Sequence, residues 1–84
     1  MDWNLLGFIK ASQYRKIIIL ILDRGNKTPK EISDSTKYPI SHVSQTLKIL
    51  REREILICLT PELRKGKIYS LTELGKSMAR ELKK

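Results

Sequence analysis

Residues 28–53 constrain the fold most, because they carry start and stop signals for two consecutive helices. Thr28 and Glu31 form an S/T-x-x-E capping box around Pro29, in which the hydroxyl and the carboxylate each bond an amide left free at a helix start. The helix must end before Tyr38, because the proline that follows pushes this residue out of the helical region. The segment therefore predicts a short helix, a tight turn and a second helix.

The second helix is predicted over residues 40–53, with two different faces. Val43, Leu47 and Leu50 recur at i, i+4 and i+7, which predicts one buried face. The outward residues include no acid: Ser41, His42, Ser44, Gln45 and Lys48. Such a face is typical of the helix that reads base edges in the major groove, although a polar face that is only solvated is the plainer alternative.

A hairpin is predicted over residues 55–71, where two short β-rich runs flank a loop bounded by Pro61 and Gly66. The loop is basic, with only Glu62 in opposition, as expected of a wing that lies on a phosphate backbone. The expected contacts with the DNA backbone are Thr28, Lys30, Thr36, Lys37, Tyr38, Arg64, Lys65 and Lys67.

Helices are predicted on both sides of this unit. Asp2 can cap a short first helix, residues 11–24 form a full helix, and Thr72 caps a last helix. The apolar spacing of that last helix predicts an inner face of Leu74, Met78 and Leu82.

Residues 17–22 are apolar on every side of their helix, so one side needs cover from the N-terminal segment or from a partner subunit. A chain of 84 residues has a thin core, which a second copy would extend. We therefore expect a homodimer. The expected interface residues are Trp3, Leu6, Phe8, Ile17 and Leu20.

The composition narrows the function classes. With 17 Lys+Arg against 9 Asp+Glu, the formal net charge of +8 favours a polyanionic partner, nucleic acid before an acidic membrane. One His and one Cys do not supply the three or four protein ligands of a zinc site, and the His has no catalytic partners in a recognisable pattern. We expect one domain over residues 1–84, cytoplasmic and not in a membrane, with no metal, no cofactor and no enzymatic activity.

The runs TPKEIS, ISHVSQTLKIL and LTPELRKGKIYSLTELGK, with the opening WNLLGFIKASQYRK, resemble small archaeal winged helix-turn-helix transcription regulators, relatives of the MarR and ArsR families. The resemblance implies a mainly α fold with a β-hairpin wing, in the order α-α-α-β-β-α with a short extra N-terminal helix. It also implies homodimers that bind DNA through residues 41–48 and a wing at 58–71. The chain departs from the family pattern at Glu54, where a Gly is usual, and at Gln45, where a basic residue is common.

The sequence predicts a sequence-specific double-stranded DNA-binding transcriptional regulator. Two alternatives stay open: a winged-helix protein-interaction module of a larger assembly, and a sequence-nonspecific DNA- or RNA-binding protein. RNA binding would use exposed aromatic rings for stacking, and the candidates are Tyr38 and Tyr69. A small-molecule effector site near Trp3 and Phe8 is a weaker interpretation of these side chains than a dimer interface.

Overall fold

The computed structural model describes residues 2–84. Its elements follow in the order α1 (Trp3–Lys10), α2 (Gln13–Arg24), α3 (Pro29–Thr36), α4 (Ile40–Glu52), β1 (Leu56–Cys58), β2 (Tyr69–Leu71) and α5 (Glu73–Leu82). The predicted fold class is confirmed: mainly helical, with a two-stranded wing between α4 and α5 and a short extra helix at the start. None of the helices in residues 2–84 has both the length and the apolar character needed to cross a bilayer.

Side-chain caps start α1, α2, α3 and α5, whereas α4 begins after Pro39 without one. The Glu31 amide donates to Thr28 Oγ1 at 3.2 Å, and the Thr28 amide donates to Glu31 Oε1 at 2.9 Å, which confirms the capping box. Asp2 and Thr72 accept amides from Leu5 and Gly75 in the same way. Each of these oxygens satisfies a helical donor that would otherwise lack a partner.

The wing is a short antiparallel ladder that pairs Leu56 with Leu71 and Cys58 with Tyr69. On its other side the Tyr69 amide donates to the Lys27 carbonyl at 2.9 Å, so the base of the wing is tied to the connection between α2 and α3. The strands are shorter than the β-rich runs of the sequence: beyond Cys58 the Leu59 amide still donates to the Ile68 carbonyl at 2.7 Å, but the Ile68 amide donates to Thr60 Oγ1 and not to a cross-strand carbonyl.

One cluster of buried apolar side chains joins the helices and the hairpin. It comprises Leu5, Leu6, Ile9, Ile18, Ile19, Leu22, Ile32, Val43, Leu47, Leu50, Ile55, Leu56, Leu71, Met78 and Ala79. Leu6 is only 4% exposed within its own chain, so its expected place in a dimer interface is wrong.

The inner face of α5 also differs from the prediction, because Leu74 is 37% exposed while Met78 and Ala79 are buried. Gly75 explains the rotation of the helix. Its Cα lies so close to the Ile55 carbonyl that an added Cβ would sit 2.0 Å from that oxygen. Helix α5 can approach the Ile55 carbonyl this closely only with the face that carries Gly75. With that face turned inward, Leu74 points toward solvent.

Helix α4 ends in a Schellman motif without glycine. The Ile55 amide donates to the Leu50 carbonyl at 3.0 Å and the Glu54 amide to the Arg51 carbonyl at 2.9 Å. Glu54 adopts φ 62°, the left-handed conformation that favours glycine. The chain therefore keeps the turn expected at this junction and accepts a strain of about 1–2 kcal/mol there.

Candidate nucleic-acid interface

The outward face of α4 is polar, as predicted. All five predicted base-reading side chains are exposed: Ser41, His42, Ser44, Gln45 and Lys48. The opposite face packs into the core through Val43, Thr46, Leu47 and Leu50. Glu52 is the acidic residue of this helix and lies about 16 Å along the axis from Ser41, at a rise of about 1.5 Å per residue. The first three turns are thus free of negative charge.

The turn between α3 and α4 fixes how α4 is presented. Ser33 Oγ donates to the Tyr38 carbonyl at 2.6 Å, and the Tyr38 amide donates to Thr36 Oγ1 at 3.1 Å. Thr36 Oγ1 itself donates to the Ile32 carbonyl at 2.8 Å, so this hydroxyl is engaged within the turn. Lys37 adopts φ 66° at the corner. These bonds set the angle between the two helices before any partner arrives.

Tyr14 on α2 supports the same turn, a role that the sequence did not reveal. Its hydroxyl lies 3.2 Å from His42 Nδ1, and its ring meets the Tyr38 ring edge-on with centroids 4.4 Å apart. His42 therefore has a partner in its own chain. The contact joins residues 28 positions apart, and no local pattern in the sequence marks it.

A groove of about 500 Å³ lies between the start of α3, the edge of α4 and the wing. We call it the wing groove. It is lined by Thr28, Pro29, Lys30, Ile40, Ser44, Arg64, Lys65, Gly66, Lys67 and Tyr69. The lining contains four cationic side chains and no carboxylate, so the groove is positively charged. Six of the predicted site residues meet here, three of them from the wing.

The other predicted residues lie outside the wing groove. His42 and Gln45 line a smaller hollow of about 250 Å³ beside Tyr14 on the opposite edge of α4. Lys37 and Lys48 are exposed and line neither of these two hollows. The candidate surface therefore extends across α4 from the wing to the start of α2.

The ion pairs found in residues 2–84 all involve α5 or the residues after it. They are Lys76–Glu73, Lys83–Asp23 and Lys84–Glu81. In that described part of the chain, the cations of the wing groove have no carboxylate within ion-pair distance. Their charge is left for an external anion.

The two aromatic candidates for base stacking are not exposed platforms. Tyr38 and Tyr69 are both half-buried against the core. Burial raises the pKa of Tyr69; the nearby Cys58 adds to the rise and Arg51 opposes it. Their half-buried rings leave little surface for base stacking, which disfavours the RNA-binding alternative.

Phe8 is engaged by two arginines rather than left free. The guanidinium carbons of Arg15 and Arg53 lie 3.8 and 4.0 Å from its ring centroid, which is cation–π distance. Arg15 Nη1 also donates to the Phe8 carbonyl at 2.8 Å. The arrangement connects α1, α2 and the end of α4. Of the expected interface residues, Trp3 stays 67% exposed, and Ile17 and Leu20 are half-buried.

The helix-turn-helix region matches a known protein family. The profile of the bacterial regulatory protein, arsR family, matches residues 12–57, more than half of the chain. The chain belongs to the arsR family. The match spans α2, α3 and α4 and ends within the first wing strand, so the winged helix-turn-helix regulator expected from the sequence is confirmed. The archaeal resemblance stays a prediction.

Solved structures similar to this arsR-family chain share its fold. A MarR family regulator from Neisseria meningitidis is 26% identical with a TM-score of 0.80, over 95% of this chain and 58% of that one. HlyU from Vibrio cholerae is 22% identical with a TM-score of 0.74, over 98% of this chain and 94% of that one. ZitR from Lactococcus lactis is 24% identical with a TM-score of 0.74, over 83% of this chain.

The arsR-family chain spans about half the length of several of these regulators, for example 49% of ZitR and 55% of the adhesin competence repressor from Streptococcus pyogenes. A search of curated proteins gives no match. The likeness at this level of identity concerns the fold.

Proposed function

We propose that this chain is a sequence-specific double-stranded DNA-binding transcriptional regulator, with α4 in the major groove and the wing on the phosphate backbone. The observation that carries the proposal is the wing groove, where four cations and no carboxylate lie beside the polar face of α4. A DNA duplex offers a partner for each surface, because its phosphates, which attract the cations, border the groove whose base edges a helix can reach.

The proposed roles divide between bases and backbone. Gln45 can pair with adenine through its amide, Lys48 suits guanine or a phosphate, and the short polar side chains of Ser41, His42 and Ser44 reach base acceptors or phosphates. The proposed backbone contacts are Thr28, Lys30, Lys37, Tyr38, Arg64, Lys65 and Lys67. We assign Thr36 a positioning role, because its hydroxyl is engaged in the turn before α4.

The active form in this proposal is a homodimer. The exposed Trp3 ring gives α1 an apolar surface that a second copy would cover, and the half-buried Phe8, Ile17 and Leu20 are the other proposed interface residues. Two copies related by a two-fold axis would present their α4 helices to successive major grooves, about 34 Å apart. We place this activity in the cytoplasm, where a regulator of this family reaches DNA.

A random-sequence DNA selection at about 0.15 M salt tests the proposal, because this salt suppresses purely electrostatic retention. Enrichment of a defined palindrome supports a dimeric sequence-specific regulator. Retention of all sequences alike contradicts sequence specificity and favours an architectural role. Failure to retain DNA at all contradicts the proposal and favours the protein-interaction module.

Charge reversal tests the assigned surface on the selected site. Lys48→Glu, Arg64→Glu and Lys65→Glu together should abolish binding at the concentration at which the parent saturates. For single variants, the slope of log K against log salt should become shallower by about 0.9 for each phosphate that is no longer neutralised. Lys76→Glu on α5 is the matched control, since it makes the same charge change away from the wing groove. Parent affinity that does not respond to salt would contradict the electrostatic argument.

A further inference from the structure

Ile40 is the one large aliphatic side chain among the residues that line the wing groove, four of which are cationic. It is the first residue of α4 and is 52% exposed. It lines the wing groove together with Ser44, one turn further along the same edge of the helix. The other exposed large apolar side chains lie elsewhere, on α1, the hairpin and α5.

The chemistry of a DNA duplex restricts what Ile40 can contact there. Phosphates and sugars border the groove, and the base edges present hydrogen-bond donors and acceptors. The C5-methyl group of thymine is the apolar group that the major groove displays. Among the base edges, this methyl group is the apolar partner that an isoleucine at the start of the recognition helix can meet.

We propose that Ile40 reads thymine by packing against its C5-methyl group, which makes it a specificity-determining residue; this rests on the DNA-binding function proposed above. Ser44, on the same edge of α4, would donate its hydroxyl to the thymine O4 or the adenine N7 of the same base pair. The pair Ile40 and Ser44 thus favours T·A in each half-site at the position facing the edge of α4 nearest the wing.

Replacing thymine by deoxyuridine tests the contact, because the exchange removes the methyl group and keeps the base-pairing groups. Each thymine of the selected site is replaced in turn, and binding is measured for the parent, Ile40→Ala and Ile40→Val. Burying one methyl group is worth about fourfold in affinity. We expect one thymine per half-site whose replacement weakens the parent about fourfold. Ile40→Ala should bind both versions alike, and Ile40→Val should retain part of the discrimination.

Leu74→Ala is the matched control, since Leu74 is also an exposed aliphatic residue in the first turn of a helix but lies on α5. It should discriminate thymine from deoxyuridine as the parent does. The salt dependence of Ile40→Ala should equal that of the parent, because the substitution removes no cationic side chain.

Two results would overturn the inference while leaving the regulator intact. One is a parent that binds every deoxyuridine site as tightly as the thymine site. The other is an Ile40→Ala variant, folded by circular dichroism, that keeps the full discrimination. A selection that yields no preferred sequence is a separate outcome, which overturns the proposed function and the inference together.

Discussion

Gly75 is the position at which adding a single methyl group should cost the most stability. The residue is buried within α5, and its missing Cβ would lie 2.0 Å from the Ile55 carbonyl oxygen and 3.1 Å from Cδ2 of Leu71. A backbone oxygen cannot rotate aside as a side chain can. Gly75→Ala therefore forces α5 away from Ile55, the residue just before β1, by more than an ångström.

The shift also stretches the bonds that attach the start of α5 to the hairpin. Thr72 Oγ1 lies 3.0 Å from the Ile55 carbonyl oxygen and 2.7 Å from that of Glu54. Overpacking costs about 1–3 kcal/mol and a weakened hydrogen bond about 1 kcal/mol, against about 1 kcal/mol regained from the better helix propensity of alanine. We expect a net loss of about 1–3 kcal/mol, which lowers Tm by about 4–24 °C in a domain of this size.

Gly7→Ala makes the same chemical change where the structure is open. Gly7 lies in α1 with no atom within 4 Å of the added Cβ, so it should gain about 0.5–1 kcal/mol from helix propensity alone. Thermal unfolding followed by circular dichroism should therefore move in opposite directions for the two variants. Melts at several protein concentrations separate any contribution from association. Shifts of the same sign, or a Gly75→Ala variant that melts with the parent, would refute the reasoning.

Two further predictions concern acid stability and assembly. Hydrogen bonds with the backbone amide and the side chain of Thr28 hold the pKa of Glu31 below its ordinary value. The ionised carboxylate therefore adds to the free energy of unfolding above the pKa of the unfolded state, and this contribution is lost as the pH falls through the pKa of the folded state. Glu31→Gln should make the unfolding free energy measured in urea less dependent on pH in this acid range; an unchanged pH profile would contradict the assignment. Sedimentation at micromolar concentration should find a dimer that Trp3→Glu dissociates, and a parent sedimenting as a 9.8 kDa monomer would remove the basis for the interface.

Local signals predicted the fold best. The capping box at Thr28 and the proline after Tyr38 act within a few residues, and the structure reproduces both helix boundaries. The inner face of α5 was harder to predict from the sequence, because its leucines and methionine at helical spacing allow more than one face to turn inward. The choice is made by the Ile55 carbonyl, which lies 20 residues earlier and accepts only a glycine against it.

In the candidate site too, the sequence predicted what depends on local spacing and missed what depends on packing between helices. Helical periodicity was enough to predict that Ser41, Gln45 and Lys48 face outward. The contact of Tyr14 with His42, and the two guanidiniums on Phe8, depend on how separate helices pack. Such long-range contacts leave no spacing in the sequence by which they could be recognised.

Thr60 restrains the wing loop before the wing meets any partner. Its hydroxyl accepts the Ile68 amide at 3.0 Å, which ties the two ends of the exposed loop at 61–66 together, and its carbonyl accepts the Leu63 amide at 3.1 Å, which closes the turn at the start of that loop. Ordering a free loop on a ligand costs about 1–2 kcal/mol of backbone entropy per residue. In this chain part of that entropy is already lost when the protein folds, which leaves a smaller conformational penalty for the wing when it meets a rigid polymer.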